Sequence, residues 1–347
     1  MLLDTIREIF NLCNLKKDEK VALITGEKFD EELIHTYMIA LEGIDVDFLR
    51  IIVPNKSIGG KLVNPIEKNM YAIDVLKKAD FVINIITGYP LRPLRWPFML
   101  PIPSVISMYS KEFSDILSSG TRWMDNQVPL PHINYRRLLP NKTLIDRTRS
   151  HAKKLELAER IKITSESGTH LIMDKKNRKA WAEYGIPDTP GSYAIFGKGN
   201  VCTAPLEDSV NGTLVVDLND FFLALGEEVT EPIYITFKNG IIRDVKGGAT
   251  ASLFRRFLAK WNDNEVYKIG HVGWGTHKEA AVWFEDSLFC TADHDSYPGV
   301  VTIHFGNNIY WQGANKAKYH ISGVSLLNCN LYIDDNIICK KGKLVDE

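Results

Sequence analysis

What most constrains the fold is a change of rhythm near residue 155. Before it, short apolar runs alternate with amphipathic stretches. Val21 to Thr25 reads as a buried strand, and Asp30 can cap a helix that carries Leu33, Ile34, Tyr37, Met38 and Leu41 on one face and ends at Gly43. Strands over 46–53, 80–86 and 104–107, with a helix through 71–77, continue a β-α-β order that predicts a parallel sheet covered by helices. The run from Asp146 to Arg160 mixes both charge signs and predicts a solvated helix face closing this part. Beyond it the character turns to β. Residues 212–217 predict a strand, and 233–245 a hairpin turning at Asn239-Gly240. The expectation is an α/β domain with a parallel sheet over 1–155 and a β-rich α+β catalytic domain over 156–347.

Charge and composition remove several function classes. The 42 basic and 43 acidic residues leave a formal charge of −1, so no global field draws in nucleic acid or an anionic membrane, and neither is an expected partner. Met1 to Ile9 mixes charges into a helical pattern unlike a signal peptide, and no uncharged stretch approaches the roughly 20 residues of a membrane span. Five cysteines are widely spaced without a Cys-x-x-Cys pair, which argues against a disulfide framework or zinc ribbon and for the reduced cytoplasm. The first strand leads into Gly26-Glu27-Lys28-Phe29, which lacks the glycine spacing of a dinucleotide site. The stretch 90–103 holds five prolines with Arg92, Arg95, Trp96 and Phe98, and reads either as a lid over a cleft or as a semi-rigid connection.

Five of the nine histidines fall between 271 and 320. A lone histidine is usually a hydrogen-bonded core or surface residue, but this density suggests a metal, because three imidazoles suffice for a mononuclear site with an open position. Alternation along Val300 to Phe305 puts Val301, Ile303 and Phe305 on one face and Thr302 with His304 on the other. His304 therefore points away from the apolar side. His277 and His294 read as surface or supporting residues. Trp274 and Trp311 could stack on a flat substrate, although tryptophan is more often a core wall.

The stretch Gly199-Asn200-Val201-Cys202-Thr203-Ala204-Pro205, the segment Gly270 to Gly275, the strand ending Phe305-Gly306-Asn307-Asn308, and Lys318-Tyr319-His320-Ile321-Ser322 together resemble the aminopeptidase T family. They are more similar still to its oxygenase branch, the 2,5-dihydroxypyridine 5,6-dioxygenases. The resemblance implies an aminopeptidase T-like fold and, on the peptidase side, two metals held by carboxylates and a histidine. Those positions fall here on Asn200, His271 and Thr302, and a His-x-Asp pair becomes His320 and Ser322. Too few carboxylates remain to neutralise two divalent ions, so no aminopeptidase activity is expected.

On the dioxygenase side the resemblance implies one iron with two histidines and a carboxylate, corresponding to His271, His320 and Ser322. His304 is the preferred replacement for the missing carboxylate, with Glu285 and Asp293 as alternatives. A neutral three-histidine site would favour an anionic substrate or one chelating through a deprotonated oxygen. The expected protein is a ferrous-iron (alternatively zinc or manganese) oxygenase of a small aromatic or heteroaromatic molecule, using O2 and assembling as a homo-oligomer. His304 and Tyr310 would act in catalysis, and Asn200, Trp274, Thr302 and Ser322 would line the substrate. Tyr310 stands one place from a catalytic tyrosine of the peptidases. The other readings are a metal-dependent hydrolase and a metal-free binding protein of the same fold.

Overall fold

The computed structural model describes residues 2–27, 30–53, 57–58, 61–62, 66–85, 106–126, 128, 133–225, 227–281 and 291–346. The proline-rich stretch 90–103, Glu285 and residues 104–105 lie outside them. A five-stranded parallel sheet runs in the order Tyr193–Phe196, Arg122–Asn126, Phe81–Asn84, Lys20–Gly26, Asp47–Val53. Helix Glu31–Glu42 begins at Asp30, whose carboxylate accepts from the Leu33 N–H, and it buries Leu33, Ile34, Tyr37 and Leu41 as the apolar spacing requires.

Two expectations about this sheet are corrected. Ile106 and Ser107 are not in a strand. The strand beside Phe81–Asn84 is instead Arg122–Asn126, every residue of it buried. Its polar side chains are paired internally: the Arg122 guanidinium donates to the Cys13 carbonyl and pairs with Glu19, while Asp125 accepts from Asn84, Trp123 and Tyr193. Hydropathy cannot reveal such a strand. The fifth strand, Tyr193–Phe196, is supplied from beyond residue 155.

The remainder is an antiparallel sandwich. A seven-stranded sheet and an eight-stranded sheet share one core, to which Val201, Val272, Trp274, Val301, Ile303, Phe305 and Val324 contribute from the first and Ile161, Ile163, Leu171, Leu214 and Ile235 from the second. The hairpin Ile233–Lys238 to Ile241–Lys246 turns through Asn239 and Gly240, both at positive φ. Only one face of the seven-stranded sheet is used by this core. The other turns toward the parallel-sheet part of the molecule, where Cys202, Ala204 and Trp311 pack with Met108, Tyr109, Trp181 and Tyr310.

Candidate metal centre

Three adjacent antiparallel strands build the centre: Ile269–Gly275, Val301–Gly306 and His320–Leu326. On the first, alternation gives Val272 and Trp274 to the core and His271, Gly273 and Gly275 to the opposite face. Two bulges adjust the register. Ile269 pairs with Phe305 and His271 with His304, so Gly270 is an extra residue. Ile303 pairs with Val324 and Phe305 with Ile321, so Ser322 and Gly323 together stand opposite His304. Each bulge lets apolar residues three apart both face the core, while His271, His304 and His320 converge on the other side.

One nitrogen from each of these histidines lies within 4.8 Å of the other two. Their rings stack loosely, with centroids 4.1 Å apart for His271 and His304 and 5.1 Å for His271 and His320. His320 Nδ1 lies 2.8 Å from the Asn307 carbonyl, which only accepts, so Nδ1 carries the proton and Nε2 keeps its lone pair. That lone pair meets His304 Nδ1 at 3.2 Å. His271 Nδ1 is buried without a partner. Burial, with the neighbouring imidazoles and Lys198, holds His271 well below the usual histidine range, and burial with His304 brings His320 down to about 3. Converging imidazoles, one with an orphaned nitrogen and one with its proton pinned to a carbonyl, are the donor set that a divalent ion takes. These residues could hold a metal ion.

A buried charged chain stands behind His304. Its Nε2 faces Asp295 Oδ1 at 3.6 Å, Asp295 Oδ2 accepts from Lys198 Nζ at 2.9 Å, and Lys198 reaches Glu183 at 3.4 Å. Burial alone would push Lys198 down, but Asp295 and Glu183 hold it charged and above the usual lysine range. Burial would likewise raise Asp295, yet Lys198 and His304 hold it well below the usual carboxylate range.

Aromatic rings close the other side. Trp311 lies against His271 at 4.0 Å and His320 at 4.8 Å between centroids, and Tyr109 reaches His320 at 5.7 Å. Tyr310 sits one ring farther out, stacked on Trp181 at 5.0 Å and edge-on to Trp311. Thr302 lies on the face of His304, buried, with an unpartnered hydroxyl. Asn200, opposite Gly275, shares that face two rows from His271 and leaves its buried Oδ1 unpartnered.

Trp274 is not brought to the centre. It lies in the sandwich core and donates its Nε1–H to His151 Nδ1 at 2.9 Å. Asp293 turns away as well, to Arg137 and the Ala281 N–H. His277 and His294 are buried rather than at the surface, and neither joins the cluster. Sequence reasoning missed Asp295, Lys198, Glu183 and Tyr109. Only Asp295 carried a signal, since it lies two residues from Asp293 in a segment whose orientation periodicity does not give.

The sequence matches the family model described as NicX, 2,5-dihydroxypyridine 5,6-dioxygenase, over residues 1–346. It is 30% identical over 256 residues, 71% of each chain, to the 2,5-dihydroxypyridine 5,6-dioxygenase of Pseudomonas putida KT2440. The solved 2,5-dihydroxypyridine dioxygenase from Pseudomonas putida KT2440 superposes with a TM-score of 0.86 at 24% identity, covering 100% of this chain and 97% of that one. Wild-type AmpT from Thermus thermophilus superposes with a TM-score of 0.71 at 14% identity over 99% of both chains. The structural likenesses establish a shared aminopeptidase T-like fold.

Proposed function

The chain belongs to the 2,5-dihydroxypyridine 5,6-dioxygenase family, and from that premise we propose that it is an iron(II)-dependent dioxygenase of a small hydroxylated heteroaromatic molecule. The observation that carries this reading is the convergence of buried His271 and His304 with half-buried His320 beside an aromatic wall. When bound, ferrous iron would supply open positions at which O2 and a chelating substrate oxygen meet. The chain's own part is to hold and orient. His271, His304 and His320 would be the ligands, with His320 fixed by the Asn307 carbonyl. Trp311 and Tyr109 offer flat surfaces for a planar ring and exclude water from it. The unpartnered Thr302 hydroxyl can bond a ring hydroxyl or nitrogen, because a buried polar atom left alone costs about 1–3 kcal/mol that a substrate contact would recover.

A homo-oligomer in the cytoplasm is part of the same reading. Exposed Leu49 and Ile52 on the edge strand Asp47–Val53 support self-association. Among the described residues no helix is long and apolar enough to cross a membrane.

Anaerobically purified protein, reconstituted with ferrous iron and supplied with 2,5-dihydroxypyridine or a related hydroxypyridine, tests the activity. O2 uptake that requires both iron and the hydroxypyridine is expected. Hydrolysis of a small amide without air, supported by zinc or manganese, would replace this reading with a hydrolase.

A further inference from the structure

Ser322 brings no charge to the position where the resemblance calls for a carboxylate, but a carboxylate does reach the centre from another element. Helix Thr291–Ser296 lies over the His271 strand, with Gly275 so close beneath Ser296 and Tyr297 that a Cβ there would meet their backbone at 2.1 to 2.5 Å. This approach brings Asp295 in above the histidines, 2% exposed. Oδ1 of Asp295 and Nε2 of His304 face each other at 3.6 Å, and neither has a hydrogen-bond partner elsewhere. Two complementary buried groups so placed need only a small approach to bond, and such contacts commonly tighten when a site is loaded. The other nitrogen of His304, Nδ1, is the one lying 3.2 Å from His320 Nε2, on the side where the three histidines meet; as His320 Nε2 is bare, Nδ1 donates to it until a metal takes both lone pairs.

We infer that Asp295 is a positioning residue: when a metal takes the lone pair of His304 Nδ1, Asp295 holds the imidazole proton on Nε2, keeps Nδ1 turned toward the cluster, and returns at one imidazole's remove the anionic group that the Ser322 position lacks. A histidine ligand held by a carboxylate through its distal N–H is fixed in tautomer and orientation, and it is a stronger donor. Lys198 does not cancel the effect, because Glu183 stands on its other side and balances its charge. The inference rests on the reading of the three histidines as ligands, and it explains how a site without a coordinating carboxylate could still suit a divalent cation.

Two readouts test it. In Zn²⁺-loaded wild-type protein carrying ¹⁵N-histidine, with His304 assigned by comparison with His304→Gln, nuclear magnetic resonance should show His304 protonated at Nε2 by a low-field, slowly exchanging proton. In Asp295→Ala that signal should move upfield and exchange rapidly with water. A loaded wild-type His304 that is bare at Nε2, or an Nε2–H signal unchanged in Asp295→Ala, would overturn the inference. Calorimetric titration with Co²⁺ alone should show affinity falling about 10- to 100-fold in Asp295→Ala. Because this variant leaves Lys198 with Glu183 as its one carboxylate, Lys198→Met/Asp295→Ala, which removes one charge of each sign and keeps the net charge of the cluster, should remain folded by circular dichroism and show the same loss. Unchanged Co²⁺ affinity in a folded double variant would also overturn it. Failure of wild type to bind Co²⁺ would count against the metal-centre reading instead.

Discussion

Replacing His271 or His320 with alanine removes one of three nitrogen donors while leaving the apolar side of its strand untouched. Both variants are therefore expected to fold and to lose bound metal, with affinity down by about 100-fold or more, checked by metal analysis beside circular dichroism. His304→Ala separates two roles. A ligand role predicts weak iron binding, whereas a role confined to substrate predicts retained iron with reduced turnover, and metal stoichiometry measured with activity decides between them. That these three side chains meet was legible in the sequence, since strand alternation turned His304 away from Val301, Ile303 and Phe305 and the resemblance pointed to His271 and His320. The same rule, applied consistently, separates Trp274 from the centre. Three residues along a strand from His271, it must face the opposite way, and it lies in the core. Asp295 was not legible because its partners, Lys198 and His304, are 97 and 9 residues away and are joined to it only by tertiary packing.

At the scale of the elements, the His271 strand is flat on its site face because glycine alternates with larger residues along it. A Cβ on Gly273 would lie 2.5 Å from the Val201 carbonyl oxygen and 2.8 Å from the Cys202 Cβ, both on the neighbouring strand. Gly273→Ala is accordingly expected to cost about 1–3 kcal/mol, read as a lower midpoint in urea denaturation. The elements that sequence patterns foretold, such as the capped helix after the first strand and the Asn239-Gly240 hairpin, are those whose determinants are local. The strand Arg122–Asn126 was illegible for the opposite reason. Its polar residues are satisfied by Cys13, Glu19, Tyr37, Tyr135, Asn84 and Tyr193, partners that no periodicity in 122–126 discloses. The two bulges at the centre belong to the same class, since their register is set by what the facing strands must bury.

For the molecule as a whole, several buried histidines act together on stability. His151, His271, His277 and His320 are all held below the ordinary histidine value, burial being the largest cause in each. The unfolded chain therefore binds more protons once the pH drops below about 6.5, and stability is lost from there downward, toward about 3 in the case of His320. Each such histidine contributes a slope of up to about 1.4 kcal/mol per pH unit in that window. The metal-free protein should melt at clearly lower temperature at pH 5.5 than at pH 7.5, and His151→Gln should flatten the dependence, both measured by calorimetry. The parallel sheet has a consequence of a different kind. Its fifth strand, Tyr193–Phe196, lies beyond the first two strands of the sandwich, Arg160–Thr164 and His170–Asp174. While the chain is being synthesised, the first 155 residues leave the ribosome with the Arg122–Asn126 edge open, and that edge exposes unpaired backbone and invites wrong pairing until residue 196 follows. A fragment ending at 155 should accordingly precipitate or recruit chaperones where one ending shortly after 196 does not, as pelleting assays on stalled nascent chains would reveal.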